Sequence, residues 1–517
     1  MSQNREAAYQ ALVDVLGPEF ITDDLAIRHA YSKDASLTSV WRKHKKDSRT
    51  IPALVAMPSS TEEVQGVLRI CNRYRIPVVA LNTGANMCGL CVPNEADSLV
   101  LDLKRMDRIL EIDEKNLTAT IQPHVNFPRI QAETMKRGLW NGGTPQAPGV
   151  VGLLSNMMFN GIWQSALAYG QAMRSLINMT VVLPNGDIIN TGSRAIPNAG
   201  NFWWTGPGPD LKGIFEFTHY GALGIVTEAT VKLHRWAGGE WPQEEVYDHP
   251  PLPQNHRIFY IEYPDFPSMQ EGMYDIAHSG IGTHLDTCMD AWNAYYTQPT
   301  QALAEKTFRE GMWPRCMIYV ILAGISSERQ LDYEEKVLRL LVKRTKGKFR
   351  EDLRDILSVW HADSFRAGET VRMTRHGGYA IARINESQIE TIEQIHKAHM
   401  EIISKYPHYI LDEESPEVYV YDRGYFSINE TDNYYAQWDV EEVKNARLQT
   451  IDAFIDHTRE DKLGWYIHVE PITSMFGPEI GPNFHLWLKR VKNIFDPNDI
   501  MNPGKLIQVK EKPAKRG

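Results

Sequence analysis

The stretch from residue 77 to residue 90 (PVVALNTGANMCGL) constrains the fold more than any other part of the sequence. Its first half, Val78–Leu81, is a short apolar run typical of a buried strand. Its second half contains Gly84 and Gly89. Glycine lets the backbone approach a ligand closely, and the N–H groups of such a loop can bind an anion. The stretch is therefore either a strand that ends in an anion-binding loop or a strand that ends in an ordinary turn.

The flanking segments predict an α+β fold. Ser60 and Glu63 have the spacing of a helix capping box, and apolar residues then recur at helical intervals as far as Tyr74. Asn185 and Gly186 predict the turn of a β-hairpin. Further along, the pattern from Glu386 to Lys405 predicts a helix. Short apolar runs predict strands at 52–57, 99–103, 108–112, 118–123, 256–265 and 314–325.

Length and composition narrow the classes of protein and of partner. The 517 residues suggest two to four domains, and 43% hydrophobic residues are typical of a globular protein. A formal net charge of -10 argues against nucleic acid as the main partner. The sequence contains no apolar run of about 18 residues that would span a membrane. The first residues resemble an amphipathic helix and not a secretory signal, so we expect a cytoplasmic protein.

The cysteines do not predict a disulfide framework or a metal site. There are five, an odd number, and Cys88 and Cys91 form a single C-x-x-C pair inside the glycine-bearing loop. A redox dithiol would be expected at a helix N-terminus. The sequence contains neither a second C-x-x-C nor a histidine pair to complete a zinc site. We therefore expect no metal.

The segment 150–169 is apolar and poor in charge, with a few small and amide side chains set into it. Ser155, Asn156, Asn160 and Gln164 are those polar positions. Such a segment can line a large neutral ligand and supply a few hydrogen bonds. It can equally be a buried connector that is rich in turns.

A series of motifs in fixed order resembles the FAD-binding oxidoreductases of the vanillyl-alcohol oxidase and p-cresol methylhydroxylase family. These motifs are TEEV, TGAN, DLKRM, the Asn-Gly hairpin, GPGPDLKGIF, YGALGIVTEATVKL and FDPNDIMNPGK. The resemblance covers 51–234 and resumes at 496–505. It implies a two-part FAD-binding domain of the p-cresol methylhydroxylase (PCMH) type and a cap domain with an antiparallel sheet flanked by helices. The expected divisions are a helical lead-in (1–50), an FAD-binding domain (51–236), a cap that binds substrate (237–455) and a returning C-terminal segment (456–517).

The resemblance also implies which residues hold the cofactor. Backbone amides of the glycine-bearing loop would hold the FAD pyrophosphate, at Thr83, Gly84, Ala85, Asn86 and Met87. Further positions implied to contact the flavin or the adenosine are Ser155, Asn156, Gly161, Tyr169, Gly170, Gly224, Ile225, Val226, Asn502 and Lys505.

Many members of the family attach FAD covalently to a histidine or tyrosine of the cap. The corresponding segment here is 371–382, which contains His376 and Tyr379. Neither residue falls directly on the family's linkage position. His376 is therefore either the linked residue or a loop histidine without a bond to the flavin.

The resemblance does not extend to the residues that hold the substrate in phenol-oxidising members of the family. Phenol-oxidising members hold a phenolate with two tyrosines and an arginine. This chain has Gly89-Leu90 in place of the first tyrosine and Ile467-His468 in place of the tyrosine-arginine pair. The difference argues against para-alkylphenols as substrates. His468 is a candidate base because its unperturbed pKa lies near neutrality, or it is a strand histidine paired with Glu470. The candidate substrate clamps, each with a surface or structural role as the alternative, are Arg423, Tyr425 and Arg375.

The predicted function is an FAD-dependent dehydrogenase or oxidase. It would take a hydride from an alcohol or an activated C–H carbon of a small organic molecule and pass the electrons to a separate acceptor. The resemblance also implies a homodimer, and an electron-acceptor protein is compatible with the acidic surface. Two alternatives are an electron-transfer or scaffold subunit without its own substrate, and a non-redox flavoenzyme similar to the alkyl-glycerone-phosphate synthase branch.

Overall fold

The computed structural model confirms the predicted α+β class. It describes residues 3–33, 51–84, 89–145, 149–159, 161–216, 221–239, 252–288, 290–365, 383–403, 409–412, 416–431, 433–435, 465–468 and 483–505. The strands are β1 Ile21–Thr22, β2 Leu54–Ala56, β3 Val78–Leu81, β4 Leu99–Asp102, β5 Ile109–Asp113, β6 Thr118–Ile121, β7 Leu139–Trp140, β8 Leu176–Val182, β9 Ile188–Asn190, β10 Ile225–Lys232, β11 His234–Arg235, β12 His256–Glu262, β13 His284–Thr287, β14 Met317–Ala323, β15 Lys348–Phe349, β16 Arg383–Ser387, β17 Tyr409–Asp412, β18 Glu417–Tyr421, β19 Phe426–Thr431, β20 Asn433–Tyr435 and β21 Trp465–His468.

The α-helices account for most of the remaining regular structure. They are Gln3–Leu16, Leu25–Ala30, Thr61–Tyr74, Phe127–Met135, Leu153–Met158, Ala166–Tyr169, Lys212–Glu216, Phe266–His278, Asp290–Thr297, Gln301–Arg309, Glu328–Arg344, Glu351–His361, Ile392–Ile403 and Phe484–Phe495. None of these helices is long and apolar enough to cross a membrane.

The helix Thr61–Tyr74 begins at the predicted cap. The Glu63 N–H donates to Ser60 Oγ at 3.2 Å, and the Glu63 carboxylate accepts from the Ser59 N–H at 2.7 Å. The helix packs through its apolar side, because Val64 and Leu68 are fully buried. It ends at Arg75, whose φ of 55° lies in the left-handed region and stops the helix.

Two sheets surround the glycine-bearing loop. The first has the order β1-β2-β4-β3, in which β2, β4 and β3 are parallel. The C-terminal segment extends this sheet beyond β3, because the Val78 N–H donates to the Ile500 carbonyl and the Asn502 N–H donates to the Val78 carbonyl, both at 2.7 Å. The second sheet is antiparallel, with the order β5-β6-β10-β8-β9, and its β8–β9 pair forms the predicted Asn-Gly hairpin.

The largest sheet has eight antiparallel strands in the order β15-β12-β14-β13-β18-β19-β16-β21. One of its faces packs against the helices Phe266–His278 and Glu328–Arg344 through residues such as Val320 and Val418. The opposite face of β18 and β19 contributes Tyr419, Tyr421 and Ile428 to the core that contains Trp163 and Met157. The large sheet therefore lies directly against the segment that was predicted to line a ligand. Two small sheets, β11-β7 and β17-β20, complete the described structure.

The predicted helix from Glu386 to Lys405 is shorter than expected. Residues Arg383–Ser387 form β16, and the α-helix begins at Ile392. Glu386 is therefore part of the large sheet, where it pairs with Ile428 of β19. Pairing with two neighbouring strands overrides the helical pattern of the local sequence.

Candidate functional site

The loop after β3 meets the start of the helix Leu153–Met158. The Asn82 side chain donates through Nδ2 to the Pro123 carbonyl at 2.6 Å and to Ser155 Oγ. The Gly152 N–H donates to Thr83 Oγ1 at 3.2 Å. Residues far apart in the chain thus form one polar cradle, defined here as Asn82, Thr83, Gly84, Gly152 and Ser155.

Glycine is required twice in this cradle. Gly84 has a φ of 77°, which an L-residue adopts only with strain. A Cβ at position 152 would lie 2.8 Å from Asn82 Nδ2. The two glycines therefore permit the turn and the close approach of the two segments.

The cradle fits the FAD that the resemblance implies. Asn82 Oδ1 is buried and has no hydrogen-bond partner among the residues that the structure describes, so an acceptor is available for a ribityl hydroxyl or ring N–H. The Gly152 and Leu153 N–H groups at the start of the helix already donate to Thr83 Oγ1 and to the Val125 carbonyl. The donors for phosphate oxygens would therefore be other backbone N–H groups of the loop after β3 and of the first helical turn. The cradle thus offers a hydrogen-bond acceptor for hydroxyl groups and hydrogen-bond donors for phosphate oxygens, and FAD contains both kinds of group.

The C-terminal segment closes over the same loop. Lys505 Nζ donates to the Gly89 carbonyl, and Asn502 Nδ2 donates to the Leu90 carbonyl at 3.5 Å. Asn94 Nδ2 reaches the Pro503 and Gly504 carbonyls, each at 3.3 Å. The structure therefore brings Asn502 and Lys505 next to the loop that contains Thr83 and Gly84.

Asn156 and Gly161 hold a tight turn beside the cradle. The Gly161 N–H donates to the Asn156 carbonyl at 2.8 Å, and Asn156 Nδ2 donates to the Ile162 carbonyl at 3.3 Å. A Cβ at position 161 would overlap the Asn156 side chain. Both residues thus shape the segment that follows the cradle.

Gly224, Ile225 and Val226 lie at the start of β10. Ile225 and Val226 are buried in the cores on either side of the sheet. Gly224 has a φ of 157°, and a Cβ there would lie 2.8 Å from the Val182 carbonyl oxygen. These residues support the site from the neighbouring sheet.

Tyr169 and Gly170 form a second group at the large sheet. The Tyr169 ring lies 4.2 Å from the His234 ring, centroid to centroid. His234 is half-buried, its buried Nε2 has no hydrogen-bond partner in the described ranges, and desolvation lowers its pKa to about 4. A Cβ at position 170 would lie 2.4 Å from Asp422 Oδ1, so Gly170 allows close contact with the turn after β18.

That turn contains two of the predicted clamp residues. Arg423 has a φ of 59°, and its Nη1 donates to the carbonyls of Ile281 at 2.6 Å and Gly282 at 3.0 Å. Burial lowers the pKa of Arg423. Tyr425 is 84% exposed. In this structure Arg423 binds backbone carbonyls and Tyr425 lies on the surface, and the clamp role of both stays a prediction.

Of the remaining predicted residues, one lies at the end of a described strand and five lie outside the described residues. His468 is the last residue of β21 and pairs through its backbone with Arg383. Ala85, Asn86, Met87, Arg375 and His376 lie outside the described residues.

Several polar residues of the large sheet were missed by the sequence reasoning. Asp286 and Glu417 are each 2% exposed, and Glu430 is 6% exposed. Glu417 lies in the otherwise apolar strand β18, whereas Asp286 and Glu430 lie in strands of mixed composition. A charged residue inside a short apolar strand is the signal that could have identified Glu417, because ionisable groups are rarely buried without a partner or a function.

Comparisons with known proteins agree with this geometry. A family model described as "FAD binding domain" matches residues 52–192. The chain is 36% identical over 224 residues to the glycolate oxidase subunit GlcD of Bacillus subtilis (strain 168), covering 43% of this chain and 44% of the relative. It is 33% identical over 175 residues to the 4-cresol dehydrogenase [hydroxylating] flavoprotein subunit of Pseudomonas putida, covering 33% of each. The matches thus span less than half the length of either relative.

The fold has a close counterpart among solved structures. The structure of p-cresol methylhydroxylase with substrate bound superposes with a TM-score of 0.81 at 19% identity and covers 99% of both chains. The chain therefore contains an FAD-binding domain set in the p-cresol methylhydroxylase fold, and it is related to the flavoproteins of the vanillyl-alcohol oxidase family.

Proposed function

We propose that the protein is an FAD-dependent oxidoreductase that removes a hydride from an alcohol or an activated C–H carbon of a small organic substrate. The electrons pass to a separate acceptor. The observation that carries this proposal is the polar cradle, on which the loop after β3 and the helix Leu153–Met158 converge, with the C-terminal segment closing over the loop. When bound, FAD supplies the hydride acceptor.

The residues of this chain would hold and enclose the reaction. Backbone donors of the cradle would bind the pyrophosphate, and Asn82 Oδ1 would accept from a hydroxyl or ring N–H. The Trp163 N–H donates to Tyr421 Oη at 3.0 Å, and both side chains are fully buried. This contact fixes the large sheet over the segment that lines the site, so it would exclude water from the reacting groups.

The predicted site residues would act as a base and as clamps for negative charge. His468 would accept the substrate proton, and Arg375 would steady a developing negative charge. Arg423 could serve as a clamp only after leaving the carbonyls of Ile281 and Gly282, which makes it the weakest of the candidates. We further propose that residues 237–455 form the substrate-binding cap, and that the protein acts as a homodimer with an electron-acceptor protein.

Two measurements on the purified protein test the proposed function. The absorption spectrum before and after acid precipitation shows whether FAD is bound and whether it is linked covalently. Colour that stays in the pellet and disappears in His376→Ala would establish the linkage. Anaerobic mixing with glycolate, 4-cresol and small neutral alcohols then tests for bleaching of the flavin.

Bleaching by any of these compounds supports the proposed oxidation. A protein that binds FAD but is reduced by none of a wide panel is instead an electron-transfer subunit or a non-redox flavoenzyme. A protein that binds no FAD rules the proposal out. Glu111→Gln changes an exposed acid on β5 and is the matched control for charge, because it should leave both measurements unchanged.

A further inference from the structure

The inner face of the large sheet contains acids and tyrosines in register. Asp286 of β13 lies directly opposite Tyr419 of β18 and Tyr319 of β14. One pair further along β18, Glu417 lies opposite Glu430 of β19. Directly paired residues of an antiparallel sheet share a face. We refer to Asp286, Tyr319, Glu417 and Tyr419, with His284, as the acidic face.

The acidic face is turned toward the proposed flavin site. Tyr419 lies on the same side of β18 as Tyr421, because alternate residues of a strand share a face. Tyr421 accepts the hydrogen bond from the Trp163 N–H, and both tyrosines pack in the core that contains Trp163. The acidic face and the segment predicted to line the flavin are therefore adjacent.

Asp286 has one oxygen without a hydrogen bond. The carboxyl group is bonded by Tyr319 and by the Val420 N–H, but Oδ2 has no partner within the described part of the chain. Asp286 is only 2% exposed. Burial, together with the nearby Glu417 carboxylate, raises its pKa well above the ordinary value. A buried acid beside a second acid is costly unless a donor or a positive charge approaches it.

His284 is a second polar group on the same face. It precedes Asp286 by two residues and is fully buried. Its Nδ1 is 2.8 Å from Thr283 Oγ1, whereas no described residue bonds its Nε2. Burial lowers its pKa to about 3, so the ring is neutral at physiological pH. A neutral imidazole nitrogen can accept a hydrogen bond from a ligand, and the Phe365 ring lies 5.1 Å away between centroids.

We infer that the acidic face binds the positively charged head of an organic substrate, namely the ammonium group of an amino alcohol. Binding of the cation would release the proton that Asp286 otherwise retains, so that Asp286 and Glu417 supply the countercharge. The tyrosine rings of β14 and β18 attract a cation through their π-electrons. The same charges would repel a carboxylate substrate.

The inference rests on the proposed function, because the bound alcohol would be oxidised by FAD. The C–H bond of the carbinol carbon breaks, and its electron pair moves with the hydrogen to FAD. The hydroxyl proton leaves to a base, so the product is the aldehyde. The ammonium group remains unchanged and serves only for recognition.

Binding to the FAD-loaded protein tests the inference without turnover. Choline and its neutral isostere 3,3-dimethylbutan-1-ol have nearly the same shape and differ in charge. We expect calorimetry and tryptophan fluorescence to give a Kd for choline at least about tenfold lower than for the isostere, which corresponds to about 1.4 kcal/mol. Glycolate should not compete. Equal affinity for choline and the isostere, or displacement of choline by glycolate, would overturn the inference.

Substitutions test whether the acidic face is responsible for the preference for choline over its neutral isostere. Asp286→Asn should weaken choline binding about tenfold or more and leave the affinity for the isostere unchanged, whereas Glu111→Gln should alter neither. Glu417→Gln provides a second test should Asp286→Asn fail to fold, and it should weaken choline binding in the same direction. Unchanged choline binding in the folded variants would contradict the assignment.

The outcomes separate this inference from the proposed function. If neutral alcohols bleach the flavin but the protein does not bind choline selectively, the proposed oxidoreductase activity stands and the cation site is ruled out. If the protein binds choline selectively but no substrate bleaches the flavin, the cation site is supported and the proposed oxidase or dehydrogenase activity is contradicted.

Discussion

Lys492 is the residue that fixes the C-terminal segment in place. Its side chain is fully buried, and Nζ donates to the Ala222 carbonyl at 2.7 Å. It also donates to Asp496 Oδ2 and to the Met501 carbonyl, both at 2.6 Å. Burial lowers the pKa of this amine. One cation thus satisfies acceptors from two segments, the turn at Ala222 and the C-terminal segment that contains Asp496 and Met501.

Replacing Lys492 should be strongly destabilising. Lys492→Met keeps much of the volume but leaves the Asp496 carboxylate buried without its countercharge, so we expect a loss of about 3–5 kcal/mol in the free energy of unfolding. Urea unfolding measures the change. Lys489→Met, on the same helix but half-buried, should cost less than about 0.5 kcal/mol. Equal losses in the two variants would show that the buried pair is not important.

Arg423 shows where residue-level prediction from the sequence fails. The sequence predicts Arg423 as a candidate substrate clamp, with a surface or structural role as the alternative. In the structure β18 ends at Tyr421, and Asp422, Arg423 and Gly424 all have positive φ. Consecutive left-handed residues other than glycine are uncommon, and the tertiary contacts of the Arg423 side chain hold them. No local pattern could indicate such a turn.

At the scale of elements, the pairing of the C-terminal segment with β3 determines whether the cradle is closed. The Asn502 N–H donates to the Val78 carbonyl, and Asn502 has a φ of 45°. Proline lacks that N–H and cannot adopt a positive φ. Glycine keeps the N–H and adopts a positive φ without strain.

Asn502→Pro should therefore weaken FAD binding, whereas Asn502→Gly should largely preserve it. We expect a stability loss of about 3 kcal/mol for proline and a clearly smaller one for glycine, which keeps the backbone hydrogen bond. Titration of the apoprotein with FAD and thermal unfolding provide the two measurements. If proline and glycine behave alike, the backbone pairing with β3 does not support the cofactor site.

The elements that sequence predicted well are local ones. The helix Thr61–Tyr74 and the β8–β9 hairpin follow from a cap and from an Asn-Gly turn within a few residues. The motif order indicated the cradle, because Thr83, Gly84 and Ser155 lie in recognisable segments. The acidic face could not be predicted, because it arises from the pairing of β13 with β18, which are more than a hundred positions apart. Such register is set by packing across the sheet.

For the whole molecule, histidines that are partly or fully buried predict a loss of stability in mild acid. Burial lowers the pKa of His234 and His256 to about 4 and that of His284 to about 3. Their unfolded pKa is 6.5, so between about pH 6.5 and pH 4 the unfolded chain binds more protons than the folded one. Asp286 acts in the opposite direction, because its raised pKa keeps a proton on the folded protein. The lowered pKa of His124 adds to the effect of these histidines, whereas the raised pKa values of Glu216 and Asp422 act in the same direction as that of Asp286.

Folding stability should accordingly decrease below pH 6.5, because each of the three histidines contributes up to about 1.4 kcal/mol per pH unit and the raised carboxyl pKa values offset only part of this. Urea midpoints at about pH 7 and about pH 5.5 measure the effect. His234→Asn should reduce the slope by about 1.4 kcal/mol per unit, whereas His29→Asn, at an exposed position, should not change it. A midpoint that stays constant between the two pH values would mean that these histidines are protonated in the folded state.

The hydrogen bond from Lys505 to Gly89 joins residues 416 positions apart, and this has a consequence for biosynthesis. At about 5–20 residues per second, a ribosome needs roughly 20–80 s to travel from one to the other. During that time the edge of β3 has been made, but the segment that pairs with it has not. Uptake of the cofactor into a closed site must therefore follow the synthesis of Lys505, and until then the nascent chain presents an open strand edge that chaperones can shield.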